Sequence, residues 1–543
     1  MFIASCFGQM IPPGATNSSG TNTYDPYPPP PVPPTFSYPT NATLKWYLNM
    51  GYTPVDASLS LDPNGTLYVF TANEGTGLIA ISTALVNTND PNYPSPSDFE
   101  IWNDDLFEYA SFGMTAVVGA NGMVYGILNG TELSALNQTN GAIIWNFQTS
   151  SDGRFGGVAI SGDGTVYLPA ENYTSALGDV PAVFALTNAF GVTNFYSNTN
   201  IYAFGLTNVG IKWVFLNTNG EGFTGGAPAV GPDGTIYVNG DSGHLYSLNP
   251  TNGFLKWMTT NQQAFSFQVP TTAPIIASDG TIYFANGTNL YAVNPYAPVT
   301  NGFMGFKWIY SNPFGYDSPG QYFPWNPVVG PDGTIYIEAE GTYHSPYTNE
   351  LFALAPSGNL KWMEPLIGQP GPESIFKFGC IAVASDEEIY VTDFDGTLYS
   401  FSPNGTNNWA YNTGNDLLTS PLIGPDGTLY VESGGGTGTG GVIYAFSIPA
   451  PVACGGWPED GKNARRAAAV ESANLSIPTM ASAGFQFTIV GNTNIPVCVG
   501  ASQDLTYMYW TNIAQVVLTN GTVTYTDNQS TNLPYRFYRA YPQ

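Results

Sequence analysis

Residues 226–259 read GAPAVGPDGTIYVNGDSGHLYSLNPTNGFLKWMT, and residues 326–364 read NPVVGPDGTIYIEAEG…ELFALAPSGNLKWME. The two segments share one plan: an apolar run, a PDGT turn, an IYV-type run, a polar loop, an LYALNP-type run, a second turn, then Lys-Trp. Each apolar run has strand length, and Asp-Gly and Asn-Gly are strong hairpin signals. One unit therefore reads as a four-stranded antiparallel meander, strands A to D.

The unit recurs along the chain. The A–B turn falls at Asn64-Gly65, Asn121-Gly122, Asp163-Gly164, Asp233-Gly234, Asp279-Gly280, Asp332-Gly333, Asp386-Glu387 and Asp426-Gly427. The seventh departs from the pattern, with Ser-Asp-Glu-Glu in place of a glycine turn. Strand D supplies a separate count through Trp46, Trp102, Trp145, Trp213, Trp257, Trp308, Trp362 and Trp409. Both series give eight. A fixed repeat of this length marks a propeller or solenoid. The first tryptophan precedes any turn, and the last unit (421–447) has no Lys-Trp strand D of its own after it. The N-terminal strand is therefore expected to complete the last blade, which removes open edges and ties the termini together. The expected fold is all-β: an eight-bladed propeller over 41–449.

These units, GPDGTIYV…GHLYSLNPTNGFLKW and GPDGTLYV…GVIYAFS, resemble the pyrroloquinoline-quinone-type propeller repeat. The resemblance covers about three quarters of the chain. It implies that the eight strand-D tryptophans dock between blades. WPEDGKNARRAAAV (457–470) is similar to a degenerate tag that flanks such propellers in secreted bacterial proteins.

The flanks divide the rest. Residues 1–40 hold MFIASCFGQM and a Pro-rich stretch (24–39), whose composition makes a semi-rigid spacer. Ile3-Ala4-Ser5-Cys6 resembles the end of a bacterial lipoprotein signal, which makes Cys6 a candidate lipid attachment site. A stray cysteine in a tail is the competing reading, and both stand. Residues 450–478 form a linker. Residues 479–543 read as a small β-sandwich-like module similar to short terminal modules of secreted bacterial proteins. Cys454 and Cys498 are a candidate disulfide between linker and module, which suits an oxidising compartment. Unpaired buried cysteines are the alternative, and connectivity is not readable from spacing.

Charge limits the partners. The chain has 39 acidic and 12 basic residues, a formal charge of −27. Such a chain repels phosphate backbones and anionic lipid surfaces, so nucleic acid is not an expected partner. No apolar run is long enough for a membrane-spanning helix. Charged residues are 9% of the total, and the strand-favouring aromatic, Gly and Thr bias argues against helical bundles.

The resemblance also raises an enzyme. Quinoprotein dehydrogenases seat the quinone on a tryptophan, cap it with a disulfide between adjacent cysteines, and hold calcium with carboxylate and amide oxygens. This sequence has no adjacent cysteines, and its repeat tryptophans are claimed by blade docking, leaving only Trp325 as a floor. The two histidines, His244 and His344, lack a nearby nucleophile motif. A glycosidase needs only two carboxylates, and no pair stands out. Repetition of the PDGT carboxylates at a hairpin position makes them turn chemistry rather than calcium loops. No cofactor or metal is expected. Asn-x-Thr/Ser triplets such as Asn64-Gly65-Thr66 sit in turns that favour Asn-Gly anyway.

For partner binding, the D–A and B–C connections should share one face. Lys45, Lys212, Lys256, Lys307 and Lys361 each precede a docking tryptophan and read as structural. Arg154 and Lys377 remain as cations of D–A loops. The same loops carry Phe155, Phe223, Phe265, Phe267, Tyr322, Phe323 and Trp325, an aromatic set suited to a protein or glycan partner. The competing reading sends these aromatics into the core. Tyr322-Phe323-Pro324-Trp325 is the first choice for a surface site. Connections 170–182, 339–349 and 433–441 read as long B–C loops.

The expected function is an exported, non-catalytic scaffold, bacterial and extracellular, periplasmic or cell-surface. In blade number and candidate anchor it is similar to the propeller lipoproteins of the outer-membrane barrel-assembly machinery. The Pro-rich spacer and C-terminal module depart from those. The alternatives are a quinone- and calcium-dependent dehydrogenase and a carbohydrate-binding surface protein.

Overall fold

The computed structural model describes residues 42–50, 58–70, 77–84, 100–103, 115–119, 121–128, 132–148, 155–175, 178–187, 209–223, 226–260, 272–313, 323–339, 349–366, 380–393, 396–414, 419–434, 441–453, 474–475, 479–481, 484–490, 496–502, 511–518, 522–528 and 537–542. They form an eight-bladed propeller of antiparallel sheets, followed by a small β module, with no α-helix among the described residues.

In order A to D, blade 1 is Ser60–Leu61, Thr66–Phe70, Leu78–Ser82 and Glu100–Asn103. Blade 2 is Val117–Val118, Met123–Leu128, Glu132–Asn137 and Ile143–Gln148. Blade 3 is Ala159–Ile160, Val166–Ser175, Gly178–Thr187 and Gly210–Leu216. Blade 4 is Ala229–Val230, Ile236–Asn239, Leu245–Leu248 and Leu255–Thr259. Blade 5 is Ile275–Ile276, Ile282–Asn286, Asn289–Val293 and Trp308–Ser311. Blade 6 is Val328–Val329, Ile335–Ala339, Asn349–Leu354 and Leu360–Leu366. Blade 7 is Cys380–Val383, Ile389–Thr392, Thr397–Phe401 and Asn407–Asn412. Blade 8 is Leu422–Ile423, Thr428–Ser433 and Val442–Ser447, and its strand D is Thr43–Asn49 from the other end of the chain. The expected closure is thus observed: Thr43 lies opposite Ser447, and Asn49 opposite Val442.

Seven of the A–B turns carry glycine at φ between 74° and 84°. That region is open to glycine and strained for other residues. In five of these turns the Asp accepts a hydrogen bond from the backbone N–H of the following Thr, at Thr165, Thr235, Thr281, Thr334 and Thr428. Asp and Gly thus hold the turn by separate means, which is why the pair recurs.

The blades do not all keep the four-strand plan. Blade 4 gains a fifth strand, Phe303–Met304, running parallel to its strand D. It comes from an enlarged C–D connection of blade 5, so this insertion crosses the seam between the two blades. Blade 3 corrects the loop expected over 170–182. Its strands B and C continue, past a bulge between Ala170 and Tyr173, until Ser175 pairs with Gly178. Polar composition suggested a loop, but cross-strand pairing extends the hairpin into a ribbon.

The irregular seventh turn has a structural counterpart. After blade 8 the chain pairs with the end of blade 7 strand A. Ala384 bridges Val452, Ser385 N–H donates to Pro451 O, and Ala453 N–H donates to Val383 O. Ala453 is buried among Val328 and Val383, from the inner strands of blades 6 and 7.

The C-terminal module contains two sheets. Gly484–Val490 pairs with Thr522–Asp527 and, near its two ends, with Asn474–Leu475 and Thr479–Ala481. Pro496–Ser502 lies between Thr511–Val517 and Phe537–Pro542. Phe487, Ile489, Val497, Val499 and Leu518 form its core.

Candidate functional site

The repeated side chains are committed to the ring. In every blade the strand B tyrosine meets the strand D tryptophan of the same blade. The pairs are Tyr68–Trp102, Tyr125–Trp145, Tyr167–Trp213, Tyr237–Trp257, Tyr283–Trp308, Tyr336–Trp362, Tyr390–Trp409 and Tyr430–Trp46, with centroids 5.5–5.9 Å apart. Four of the indoles then donate Nε1–H into the C–D turn of the next blade: Trp102 to Gln138 O, Trp213 to Pro250 O, Trp308 to Pro356 O and Trp362 to Pro403 O. For these four, docking between blades is direct.

Each repeat lysine turns back to the A–B turn of its own blade. Lys45 meets Asp426, Lys212 meets Asp163, Lys256 meets Asp233, Lys307 meets Asp279 and Lys361 meets Asp332, at 2.9–3.7 Å. These pairs are partly exposed, so each contributes at most about 1 kcal/mol. An aromatic pair adds about 0.5–1.5 kcal/mol beyond the area it buries, so within each blade the rings outweigh the ion pairs. In blade 7 the turn Thr is replaced by Glu388, and the strand D lysine by Asn408, which donates to Glu388 at 2.6 Å. The two substitutions compensate each other.

The face formed by D–A and B–C connections carries the chemistry. Glu221, in the connection from blade 3 to blade 4, accepts hydrogen bonds on Oε2 from His244 Nδ1 at 2.9 Å and from Tyr246 Oη at 2.5 Å. Its Oε1 accepts the Ser242 backbone N–H at 2.8 Å. Burial pushes the Glu221 carboxyl up, but the bonds from His244 and Tyr246 outweigh it and hold the group below its usual range. Glu221 holds the His244 ring in place through Nδ1. This orients an imidazole, as a positioned base or ligand requires. Sequence reading passed over His244 because it sought a nearby nucleophile. The usable signal was topological: Glu221 and His244 fall on connections that share a face.

A second polar cluster lies between blades 6 and 7. Asn349 Nδ2 donates to Glu338 Oε1 and to Asp393 Oδ1, both at 3.1 Å. Both carboxylates are buried.

The aromatic surface expected on this face is corrected in part. Phe155, Phe223, Phe323 and Trp325 are buried. Phe155 stacks on Phe147, Phe223 meets Tyr246 edge-on, and Phe323 meets Phe352 edge-on. The physical reason is position: these residues lead into strand A, where the chain turns inward and caps a seam. Arg154, Phe265, Phe267, Tyr322 and Lys377 lie outside the described residues, as do Cys6, Cys454, His344 and the tag at 457–470. Cys498 is buried in the module and is disulfide-bonded.

Among the described residues, large exposed apolar side chains are concentrated in blades 4 and 5, with Ile101 and Leu360 exposed on strand D of blades 1 and 6. Phe254 and Tyr296 are 72% and 60% exposed, and Leu255, Val299, Phe303 and Ile309 are also exposed. Phe254 and Leu255 open strand D of blade 4. Tyr296, Val299 and Phe303 belong to the insertion that crosses the seam, and Ile309 to strand D of blade 5. Sequence reading missed this group because it lies at C–D turns, which the repeat pattern marks as structural.

A quinone needs an open indole face, and its calcium needs a set of hard oxygens. Each repeat indole is paired with a tyrosine, and Trp325 is buried. Among the described residues, no three His, Cys, Asp or Glu side chains gather in a metal-holding group. The described residues do not fit that cofactor pair, and no redox step follows from them.

Comparison with known proteins agrees with the fold. Residues 92–298 match the family model described as outer membrane protein assembly factor BamB. No curated protein matches the sequence. Among solved structures, the quinohemoprotein alcohol dehydrogenase of Comamonas testosteroni is similar, with 15% identity and a TM-score of 0.50, over 76% of this chain and 77% of that one. A europium-containing methanol dehydrogenase gives 12% identity and a TM-score of 0.50, over 75% of this chain and 93% of that one. BamB from Moraxella catarrhalis gives 14% identity and a TM-score of 0.44, over 75% of this chain and 98% of that one. At these identities the likeness is one of fold.

Proposed function

We propose that this pyrroloquinoline-quinone-like β-propeller repeat protein is an exported, non-catalytic scaffold that binds a protein partner on the outer rim of blades 4 and 5. The observation that carries the reading is the exposed apolar group Phe254, Leu255, Tyr296, Val299, Phe303 and Ile309. Single exposed apolar residues are ordinary, but a group around a blade insertion is the usual mark of an interaction surface. The insertion supports the same reading, since its fifth strand buries Met304 in the core and leaves Phe303 exposed beside it.

Charge indicates the partner's chemistry. With 39 acidic residues against 12 basic ones, the chain favours a surface that is apolar at its centre and basic around it. Export is supported by the disulfide at Cys498, a bond that persists in oxidising compartments.

The test identifies the partner in an envelope or culture-supernatant extract and then rebuilds the complex from purified components. Phe254→Asp combined with Phe303→Asp is expected to weaken the rebuilt complex at least about tenfold while leaving the melting temperature in place. Unchanged affinity would move the binding surface off this rim. Rim-dependent self-association in light scattering would replace the foreign partner with a second copy of the chain.

A further inference from the structure

We infer that Asn301 is a site of spontaneous modification, in which the Gly302 backbone nitrogen attacks the Asn301 side chain, and that the isoaspartate product detaches the Phe303–Met304 strand from blade 4. This chemistry does not depend on the rim binding a partner.

Asn301 and Gly302 form the tip of a tight hairpin in the insertion of blade 5. Thr300 N–H donates to Phe303 O at 3.0 Å, and Phe303 N–H donates to Thr300 O at 2.9 Å. φ is 52° at Asn301 and 83° at Gly302. Two positive angles are what favour Asn-Gly in a two-residue turn. Both residues are exposed. A Cβ on Gly302 would meet nothing within 4 Å, so no side chain shields the glycine nitrogen on that flank.

The other Asn-Gly pairs supply the contrast, because the attacking nitrogen must be free. The N–H groups of Gly65, Gly141, Gly220, Gly240, Gly253 and Gly405 each donate to a backbone carbonyl. Asn121 is held by its Nδ2 donating to Tyr125 Oη at 2.8 Å, and Asn286 is buried. The Asn301 side chain and the Gly302 N–H have no hydrogen-bond partner among the described residues. Among the described Asn-Gly pairs, this one alone combines exposure, a free amide and a free nitrogen.

The step balances with water as the only co-reactant. The Gly302 nitrogen bonds to Asn301 Cγ, and the side-chain nitrogen leaves as ammonia, carrying the proton that the backbone N–H gives up. The product is a five-membered succinimide. Water then opens the ring. Attack at Cγ restores the main chain and leaves an aspartate. Attack at the backbone carbonyl leaves an isoaspartate, whose main chain runs through Cβ and Cγ.

The isoaspartate form lengthens the turn by one main-chain carbon. The Thr300–Phe303 pair fits a two-residue link and loses its register across a longer one. Gly302 O also accepts Met258 N–H at 3.2 Å, a bond that ties this tip to strand D of blade 4. Beyond it, the strand is held by a short parallel pairing and by buried Met304.

The experiment uses the full chain, incubated in mildly alkaline buffer made with oxygen-18 water and then mapped by mass spectrometry. Peptides carrying Asn301, Asn252 and Asn404 are compared. A glycine N–H that must first release a backbone hydrogen bond reacts about tenfold more slowly, so the Asn301 peptide is expected to convert about tenfold faster than the other two. Its product should carry solvent oxygen. In denaturant the three rates should converge. Hydrogen exchange of peptides spanning 255–259 and 302–304 should rise in the isoaspartate fraction. It should stay unchanged in freshly prepared Asn301→Asp, which gains the charge on an ordinary main chain. Conversion of Asn301 no faster than that of Asn252 or Asn404 in the folded chain would overturn the site. Unchanged exchange in the isoaspartate fraction would overturn the detachment.

Discussion

Trp213 of blade 3 covers Gly253 of blade 4 so closely that a Cβ on the glycine would stand 2.5 Å from indole Cε3. The glycine has φ of 72°, and the indole donates its N–H to Pro250 O three residues earlier. Backbone conformation and close approach both call for glycine here. The same contact recurs at Trp102–Gly141, Trp308–Gly358 and Trp362–Gly405.

Gly253→Ala should therefore cost about 2–4 kcal/mol, from left-handed backbone strain and from displacing a packed indole. Gly122→Ala is the control. Its φ is 77°, but nothing lies within 4 Å of the added Cβ, so only the strain of about 1–2 kcal/mol is expected. Urea unfolding midpoints of the two variants check the difference.

Glu387 occupies the turn position that glycine takes in the other blades, with φ of 68°. Burial raises its carboxyl, and Asp332 of blade 6 raises it further. Glu387→Gly should stabilise the protein by about 0.5–1 kcal/mol, because relief of strain exceeds the added chain entropy of glycine. A lower melting temperature in this variant would contradict that expectation.

Acid should destabilise the ring at its turns. At Asp163, Asp233 and Asp332, burial pushes the carboxyl up. Hydrogen bonds to the neighbouring Ser or Thr, with Lys212, Lys256 or Lys361, hold it below the ordinary value of 3.8. A folded value below the unfolded one means that stability is present above the unfolded value and is lost as pH falls through the folded one. Asp163→Asn should flatten the acid limb of a stability-against-pH curve and lower its neutral plateau.

The disulfide of Cys498 is expected to pair with Cys454, joining the linker to the module. Peptide mapping of unreduced protein tests the pair directly. Cys454→Ser should then free one thiol and lower the thermal stability of the module while the propeller melts as before. A Cys498 peptide linked to Cys380 or Cys6 would contradict the assignment.

The ring was legible in the sequence because its turns and tryptophans recur at fixed places and each supplied a separate count of blades. Closure was legible too, since Trp46 arrives with no turn before it. The polar clusters were not. Glu221 meets His244, and Glu338 and Asp393 meet through Asn349, across connections and seams that no repeat register marks. The aromatics before strand A were open to two readings, and their entry into the seams decided Phe155, Phe223, Phe323 and Trp325. Phe303 was hidden for a different reason. It sits in an insertion that keeps strand-like composition while leaving the blade plan.

The ring is proposed to be a scaffold whose tryptophans are committed to its own packing. Calorimetric titration of the full chain with pyrroloquinoline quinone, with and without calcium, tests this most directly when dye-linked alcohol oxidation is followed on the same sample. No saturable heat and no turnover are predicted, with partner binding at the rim intact. Calcium-dependent saturable binding with turnover would contradict the account and make this chain a dehydrogenase.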